Sequence, residues 1–487
     1  MKNKIFNAKI FLDTIKRLKL VAIIMAIISV IPSLLMAFSE YMTMLSSRKE
    51  LLVSPDVHNG YAASSYIPVS PALENAVPGL YIFMFLGALL LVYTAFSFLN
   101  KRSGSDFFHS LPCTRNCAYL SMGAAVISVI FATVVISVLA TWFAYAVFGL
   151  VFIAGYVPIL IASFFAGSAL VASAAAVAVC LTGTRLTNVT LTGLIIFLPR
   201  MILYIFVSLI TMNHPVLSAT SFGWFMSHTI NIPVSSIITG FGSVLFGQGS
   251  FLNYGPALYT MVLAIIYIVL GCIAFNRRKS ESAAKSAPSK LLQHVYRCLI
   301  TMPVMLIFLF SRGYRQGLAI IVIFVVLSLV VYFLYEIITT KTARRLLRTL
   351  PSYLILVAFT ALFGISANMS GNAMSSYVPY INDVDSISLA GGSMQYYSHY
   401  GAVPSYNSNA LRNVKLTNDR ANEIAINSLK YESSLKNNDD YDYFMERKPI
   451  TFNLKRQRMP QQMRDLRRDG RLYHAAGRDI RESVERR

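Results

Sequence analysis

The feature that most constrains this chain is a succession of apolar stretches almost free of charge. Most run to about 20 residues, the length a helix needs to cross a hydrocarbon core roughly 30 Å thick. Lipid offers no water to a free N–H or C=O, so a spanning segment closes its hydrogen bonds as a helix or in a closed barrel. The residue-by-residue alternation of barrel strands is missing here. The stretches fall at residues 20–39, 79–99, 119–148, 157–182, 188–211, 255–275, 297–312, 317–338 and 352–368. Charged residues make up only 13% of the chain, against about 25% in soluble domains. The sequence predicts an all-α polytopic membrane protein of about nine transmembrane helices, with a small α+β extracellular domain at its C-terminal end.

Basic residues orient the spans, because short cationic loops are retained in the cytosol. Lys2, Lys4, Lys9, Lys16, Arg17 and Lys19 precede the first span. Lys101, Arg102 and Arg115 follow the second, and Arg185 follows the fourth. Arg277, Arg278, Lys279, Lys285 and Lys290 follow the sixth, and Lys341, Arg344, Arg345 and Arg348 the eighth. Residues 211–254, on the opposite side, contain no Lys or Arg. Arg312 and Arg315 break the pattern in a very short outer turn. The expected arrangement is a multi-pass plasma-membrane protein, N-terminus cytosolic and C-terminus extracellular. No small-residue cleavage site follows a short apolar region, so the N-terminal stretch is not read as a removable signal.

Composition divides the chain further. Residues 1–19 interleave Ile5, Phe6, Ile10, Phe11, Ile15 and Leu18 with Lys and Arg, the pattern of an amphipathic interfacial helix on anionic lipid. A plain positive-inside anchor is the simpler alternative. Residues 20–278 form a six-span core, 279–296 a Ser/Ala/Lys-rich cytosolic linker, and 297–368 three additional spans. Residues 369–454 read as the extracellular domain. Strands are expected near 384–389 and 449–454, and a helix over 418–435, capped by Thr417 or Asn418, with Ala421, Ile424, Ala425 and Leu429 on one face. Residues 455–487 are a basic tail: eleven basic residues face five acidic ones from Thr451 onward. Such a tail suits lipid headgroups or wall polymers. It also reads as disordered or frame-shifted, and its outer placement argues against nucleic acid as a partner.

Residues 100–119, NKRSGSDFFHSLPCTRNCAY, connect spans two and three. Phe107 or Phe108 with Leu111 lies at helical spacing on one side of a short helix. Ser105 and Asp106 suit its start and Pro112 its end. A hydrophobic face on a cytosolic loop needs a partner to bury against. The run Arg102-Ser-Gly-Ser-Asp-Phe-Phe-His-Ser-Leu-Pro-Cys-Thr-Arg115, placed after the second span, resembles the loop of permease subunits of ABC transporters from Gram-positive bacteria. These belong to the type-2 exporter class, similar in core fold to the ABCG-like exporters. The resemblance extends over residues 1–454, and the extra spans and outer domain are similar to longer members of the group. It implies that Asp106, Phe107, Phe108, His109 and Leu111 form a coupling helix seated in a groove of a separate ABC ATPase. It further implies that ATP and Mg are bound by that ATPase, with no cofactor in this chain. A second permease subunit, identical or not, would complete the assembly.

Other residues bear on the same question. Arg200 sits in the fifth span beside Pro199. A charge at mid-membrane costs about 2.5–3.5 kcal/mol on insertion scales. Pro199 has no amide hydrogen, so the Ile195 carbonyl loses its helical partner. Arg200 either faces a watery pathway and attracts an anionic substrate group, or it snorkels or pairs with carbonyls freed at the kink. Residues 162–179 are rich in Ala, Ser and Gly, which lets neighbouring helices approach closely and predicts a central position. Cys113 and Cys117 lie four apart without a nearby cluster to complete a metal site, and read as packing residues. His399 among Tyr396, Tyr397 and Tyr400 reads as structural. The chain has no phosphate loop, His-Glu-x-x-His or Gly-x-Ser-x-Gly, so an enzyme is not expected. Spans nearly free of acids disfavour a proton- or sodium-coupled transporter. The expected function is the permease subunit of an ABC exporter. The rival is a membrane sensor or resistance subunit that binds an extracellular peptide without transporting it.

Overall fold

The computed structural model describes residues 6–53, 71–110, 113–150, 157–214, 229–235, 254–279, 289–313, 318–340, 346–378, 384–389, 417–434, 448–454 and 471–475, with a few isolated positions between them. Its helices are α1 (Ala8–Val53), α2 (Pro71–Ala95), α3 (Arg102–Ser110), α4 (Arg115–Val147), α5 (Val157–Leu181) and α6 (Arg185–Asn213). They are followed by α7 (Tyr254–Arg277), α8 (Lys290–Gly313), α9 (Leu318–Thr340), α10 (Leu350–Ser375) and α11 (Asp419–Ser434). Eight of them, α1 and α4 to α10, are long and apolar enough to cross a membrane. The apolar part of α2 found among the described residues, Phe83–Ala95, is shorter than a span.

Two compact units divide the chain. The first comprises Met1–Arg200, Ser227–Ile300 and Tyr332–Leu346. In it, the amphipathic stretch and the first span join in one helix, because neither Gly nor Pro interrupts residues 8–31. Asn7 starts that helix by accepting the Lys9 amide at 3.0 Å. Thr14 and Leu18 are buried and Ile10 is partly so, while Phe6, Lys9, Lys16, Arg17 and Lys19 are exposed. α1 packs on α4, where the Thr141 hydroxyl donates to Ser33 Oγ at 2.9 Å. α5 is the centre of this unit: 89% of its span is buried, against α2, α4 and α7. Its small residues permit that approach. A Cβ on Gly167 would come within 2.9 Å of Phe85 and 3.2 Å of Ile232.

The second unit comprises Met201–Met226, Thr301–Val331 and Leu347–Arg487. Aromatic rings knit its helices, with Tyr204 near Phe310, Phe206 near Phe363 and Phe308 near Phe324. Ser328 and Tyr353 share a buried hydrogen bond of 2.7 Å between α9 and α10. The His214 ring lies against Gly371, where any Cβ would collide with it. Beyond α10 come three short strands, β1 (Val384–Leu389), β2 (Lys448–Leu454) and β3 (Arg471–Ala475), paired antiparallel in that order. β3 lies within the stretch set apart as a tail. The rest of 455–487 falls outside the described residues. α11 packs against β1 and β3, and Asn418 Oδ1 caps it through the Arg420 amide at 3.0 Å. Ala425 and Leu429 are fully buried, as the face read from the sequence requires.

The boundary between the units does not follow the 279–296 linker but cuts across α6, α8 and α9. Within the first unit the reason is local. Tyr296 donates to the Leu181 carbonyl at 3.1 Å, and Arg297 pairs with Glu336 at 3.2 Å. These contacts hold the first turns of α8 and the last turns of α9 to the end of α5.

Candidate functional site

The loop that the sequence singled out folds as a 3₁₀ turn, Ser97–Asn100, followed by the short helix α3. The turn buries Phe98 and Leu99. α3 presents Asp106 and Phe107 outward, with Phe107 61% exposed. Phe108 and His109 lie on α3 by their backbone, while Leu111 and Pro112 fall outside the described residues. The expected cap is corrected. α3 begins at Arg102, and the Ser105 amide already donates to the Lys101 carbonyl at 2.9 Å. Ser105 and Asp106 are therefore interior to the helix. Lys101, between the turn and α3, is extended at φ −115° and ψ 131°, the backbone conformation of an N-cap, so the helix starts there without a capping side-chain oxygen. Gly104 lets α3 lie on the turn: a Cβ there would sit 3.2 Å from Phe98 Cβ and from its carbonyl oxygen.

Two arginines tie this loop to the ends of the long helices. Arg278 is buried just past α7. It donates to the carbonyls of Val179, Cys180 and Thr182 at the end of α5, and to Leu99 O at 2.8 Å in the 3₁₀ turn. Burial pulls its guanidinium below the usual value, yet arginine stays cationic at neutral pH. A cation at a helix C-terminus also complements the helix dipole. Arg115, at the start of α4, donates to Asn276 O at 2.8 Å and Arg278 O at 2.9 Å. Asn188 adds a side-chain bond to Asn100 at 3.2 Å. Buried rings continue the link, as Phe98, Phe96, Tyr119 and Phe275 follow one another at 5.6–6.4 Å. Behind α3 opens a cleft of about 660 Å³ lined by Asn100, Lys101, Gly104, Gly183, Thr184 and Arg185 among others. Cys117 is buried, and its amide is capped by the Thr114 hydroxyl. Burial, and after it the neighbouring Cys117, push the Cys113 thiol up, so it is protonated at neutral pH.

The other candidate pair, Pro199 and Arg200, lies well along α6. The carbonyl that Pro199 leaves open, Ile195 O, accepts the Tyr267 hydroxyl of α7 at 3.1 Å. Arg200 is half-buried and donates to Thr229 Oγ1 at 3.3 Å. Thr229 starts a segment, 229–235, that is half-buried at Thr229 and Ile230, buried from 231 to 235, and absent from the sequence reading. Asn231 Nδ2 donates to Ile196 O at 3.2 Å, and its Oδ1 accepts the Val234 amide at 3.0 Å. The Ile232 amide donates to Thr260 Oγ1 at 3.1 Å. At 1.5 Å per residue, Ile196 lies roughly 16 Å along α6, so this segment sits at span depth. Residues 232–235 form a helical turn capped by Asn231, and an interrupted backbone at that depth is stable because protein covers it and partners it. The Asn231 side chain, which supplies two of those bonds, is the signal that sequence reading missed.

A second omission is the pair Arg297 and Glu336, both almost fully buried, with Gln293 also donating to Glu336 and the Tyr332 ring 5.7 Å from the guanidinium. Glu336 was legible only as a rare acid in a span. The Tyr396, Tyr397, His399 and Tyr400 cluster falls outside the described residues. Among the described residues, no three His, Cys, Asp or Glu converge as metal ligands.

Long apolar helices, cross-tied at the end that carries α3, define a multi-pass helical membrane protein. Compared with known proteins, the chain matches no family model, no curated protein and no solved structure.

Proposed function

We propose that the chain is the permease subunit of a type-2 ABC exporter, driven by a separate ATPase that docks on the 100–119 loop. The observation that carries this reading is the exposed Phe107 on a short helix whose two flanks are bonded to the end of α7, where Arg278 links them on to the end of α5. An apolar side chain in water, on a rigidly held element, suits a groove in a soluble partner better than a lipid contact. In this reading α3 faces the cytosol, α2 completes a ninth span, and the α11 and strand region is a small α+β domain outside the cell. ATP and Mg belong to the ATPase, the chain has no hydrolytic site of its own, and a second permease subunit completes the pathway. Arg200 and Pro199 are candidates for that pathway.

The test is the double substitution Phe107→Ala with Phe108→Ala. Burying two such rings is worth about 3–6 kcal/mol, at roughly 1.5–3 each. The variant should insert normally, lose the ABC ATPase that co-purifies with the unsubstituted chain, and stop transport in liposomes. A variant that keeps its ATPase and still transports refutes docking at this loop.

A further inference from the structure

A helix ends with four carbonyls that lack partners within it. For α5 these are accounted for by residues outside it. One terminal nitrogen of Arg278 reaches the carbonyls of Val179, Cys180 and Thr182, and the Tyr296 hydroxyl takes Leu181 O. Capping α5 therefore occupies one arm of the guanidinium. The other arm donates to Leu99 O, in the turn that feeds α3. That bond contributes nothing to the end of α5. On the far side of α3, Arg115 takes the carbonyl of Arg278 itself. Arg278 is thus bonded to both flanks of the docking helix and to the most buried helix of the unit, and it directly follows α7.

We propose that Arg278 is a positioning residue that makes α3, α5 and α7 move as one body, so that displacement of the docked helix is delivered to the centre of the bundle. The proposal rests on the docking reading above. Lysine in this place keeps the charge at the end of α5, but its single ammonium lacks the planar fork that reaches two sites at once. Arg278→Lys therefore separates transmission from capping. Tyr296→Phe is the complementary control, since it removes one α5 cap and leaves Leu99 untouched.

The experiment uses the full chain in lipid nanodiscs, alone and with the ABC ATPase recovered by co-purification. Hydrogen exchange is read over residues 97–107 and 176–182, and ATP turnover stimulated by the permease is measured in parallel. Arg278→Lys should retain the ATPase, raise exchange over 97–107 about tenfold or more, and lower stimulated turnover to a similar degree. Tyr296→Phe should affect 176–182 alone and leave turnover intact. In the unsubstituted chain, adding the ATPase should alter exchange at 176–182 as well as at 97–107, a result that requires no variant to fold. Unchanged exchange or full turnover in Arg278→Lys overturns the proposal. So does equal loss of turnover in Tyr296→Phe, which reduces Arg278 to a cap, and so does a response to the ATPase confined to 97–107. If the unsubstituted chain binds no ATPase, the docking reading falls, and exchange in Arg278→Lys alone decides whether the residue ties α3 to α5.

Discussion

Tyr267 and Pro199 make a sharp test of how this protein tolerates a broken helix in lipid. Pro199 deprives the Ile195 carbonyl of its amide partner, and the Tyr267 hydroxyl replaces it at 3.1 Å. Tyr267→Phe keeps the ring and removes only that bond. An acceptor left unsatisfied in a buried site costs about 1–3 kcal/mol, whereas hydrogen bonds between membrane helices measured by double-mutant cycles average about 0.6. A loss of about 1 kcal/mol is therefore expected. In the Pro199→Ala background the new amide can reach Ile195 O, and the same tyrosine substitution should cost almost nothing. The interaction energy of the cycle should then be about 1 kcal/mol, read from reversible unfolding in mixed micelles. Additive substitutions, agreeing within about 0.3–0.5 kcal/mol in both backgrounds, would refute the claim that Tyr267 serves the proline-freed carbonyl.

Arg200→Lys, Arg200→Gln and Arg200→Leu should all express, with transport falling in Gln and Leu if the cation faces a pathway. Full activity in Leu would refute a pathway role for the cation. Glu336→Leu should destabilise the chain by about 3–5 kcal/mol, because it leaves Arg297 buried without its carboxylate. Combining it with Arg297→Leu should recover most of that loss, and a double variant worse than the single one would show that the pair is not the unit. A cysteine at Ser408 should react with an impermeant reagent in intact cells, and reaction only after lysis would reverse the topology assigned to the α11 region.

Much of the architecture is written in local pattern. Length and apolar content are sufficient for the long helices, since in lipid the backbone satisfies itself only within the segment. The small residues of 162–179 announced the burial of α5, and the spacing of Ala425 and Leu429 announced the face of α11. Ile10 and Leu18 likewise marked the inward face of α1, although the sequence divided that helix in two. The start of α3 was misplaced because Ser105 and Asp106 are good caps by type, whereas the chain turns helical directly after the extended Lys101, whose side chain carries no capping oxygen.

The ties that give the loop its mechanical meaning were decided by tertiary structure alone. Arg278 read as one more cytosolic charge in a basic linker. Its partners are backbone carbonyls 96 to 179 residues away, and a carbonyl has the same chemistry in every residue, so no side-chain pattern marks them. The same holds for Tyr267 at Ile195 and Asn231 at Ile196. The sequence determined which segments are long and apolar enough to cross a membrane. The packed bundle decided which helix ends meet, because a free carbonyl in a dry interior is stable only where some distant donor is brought to it.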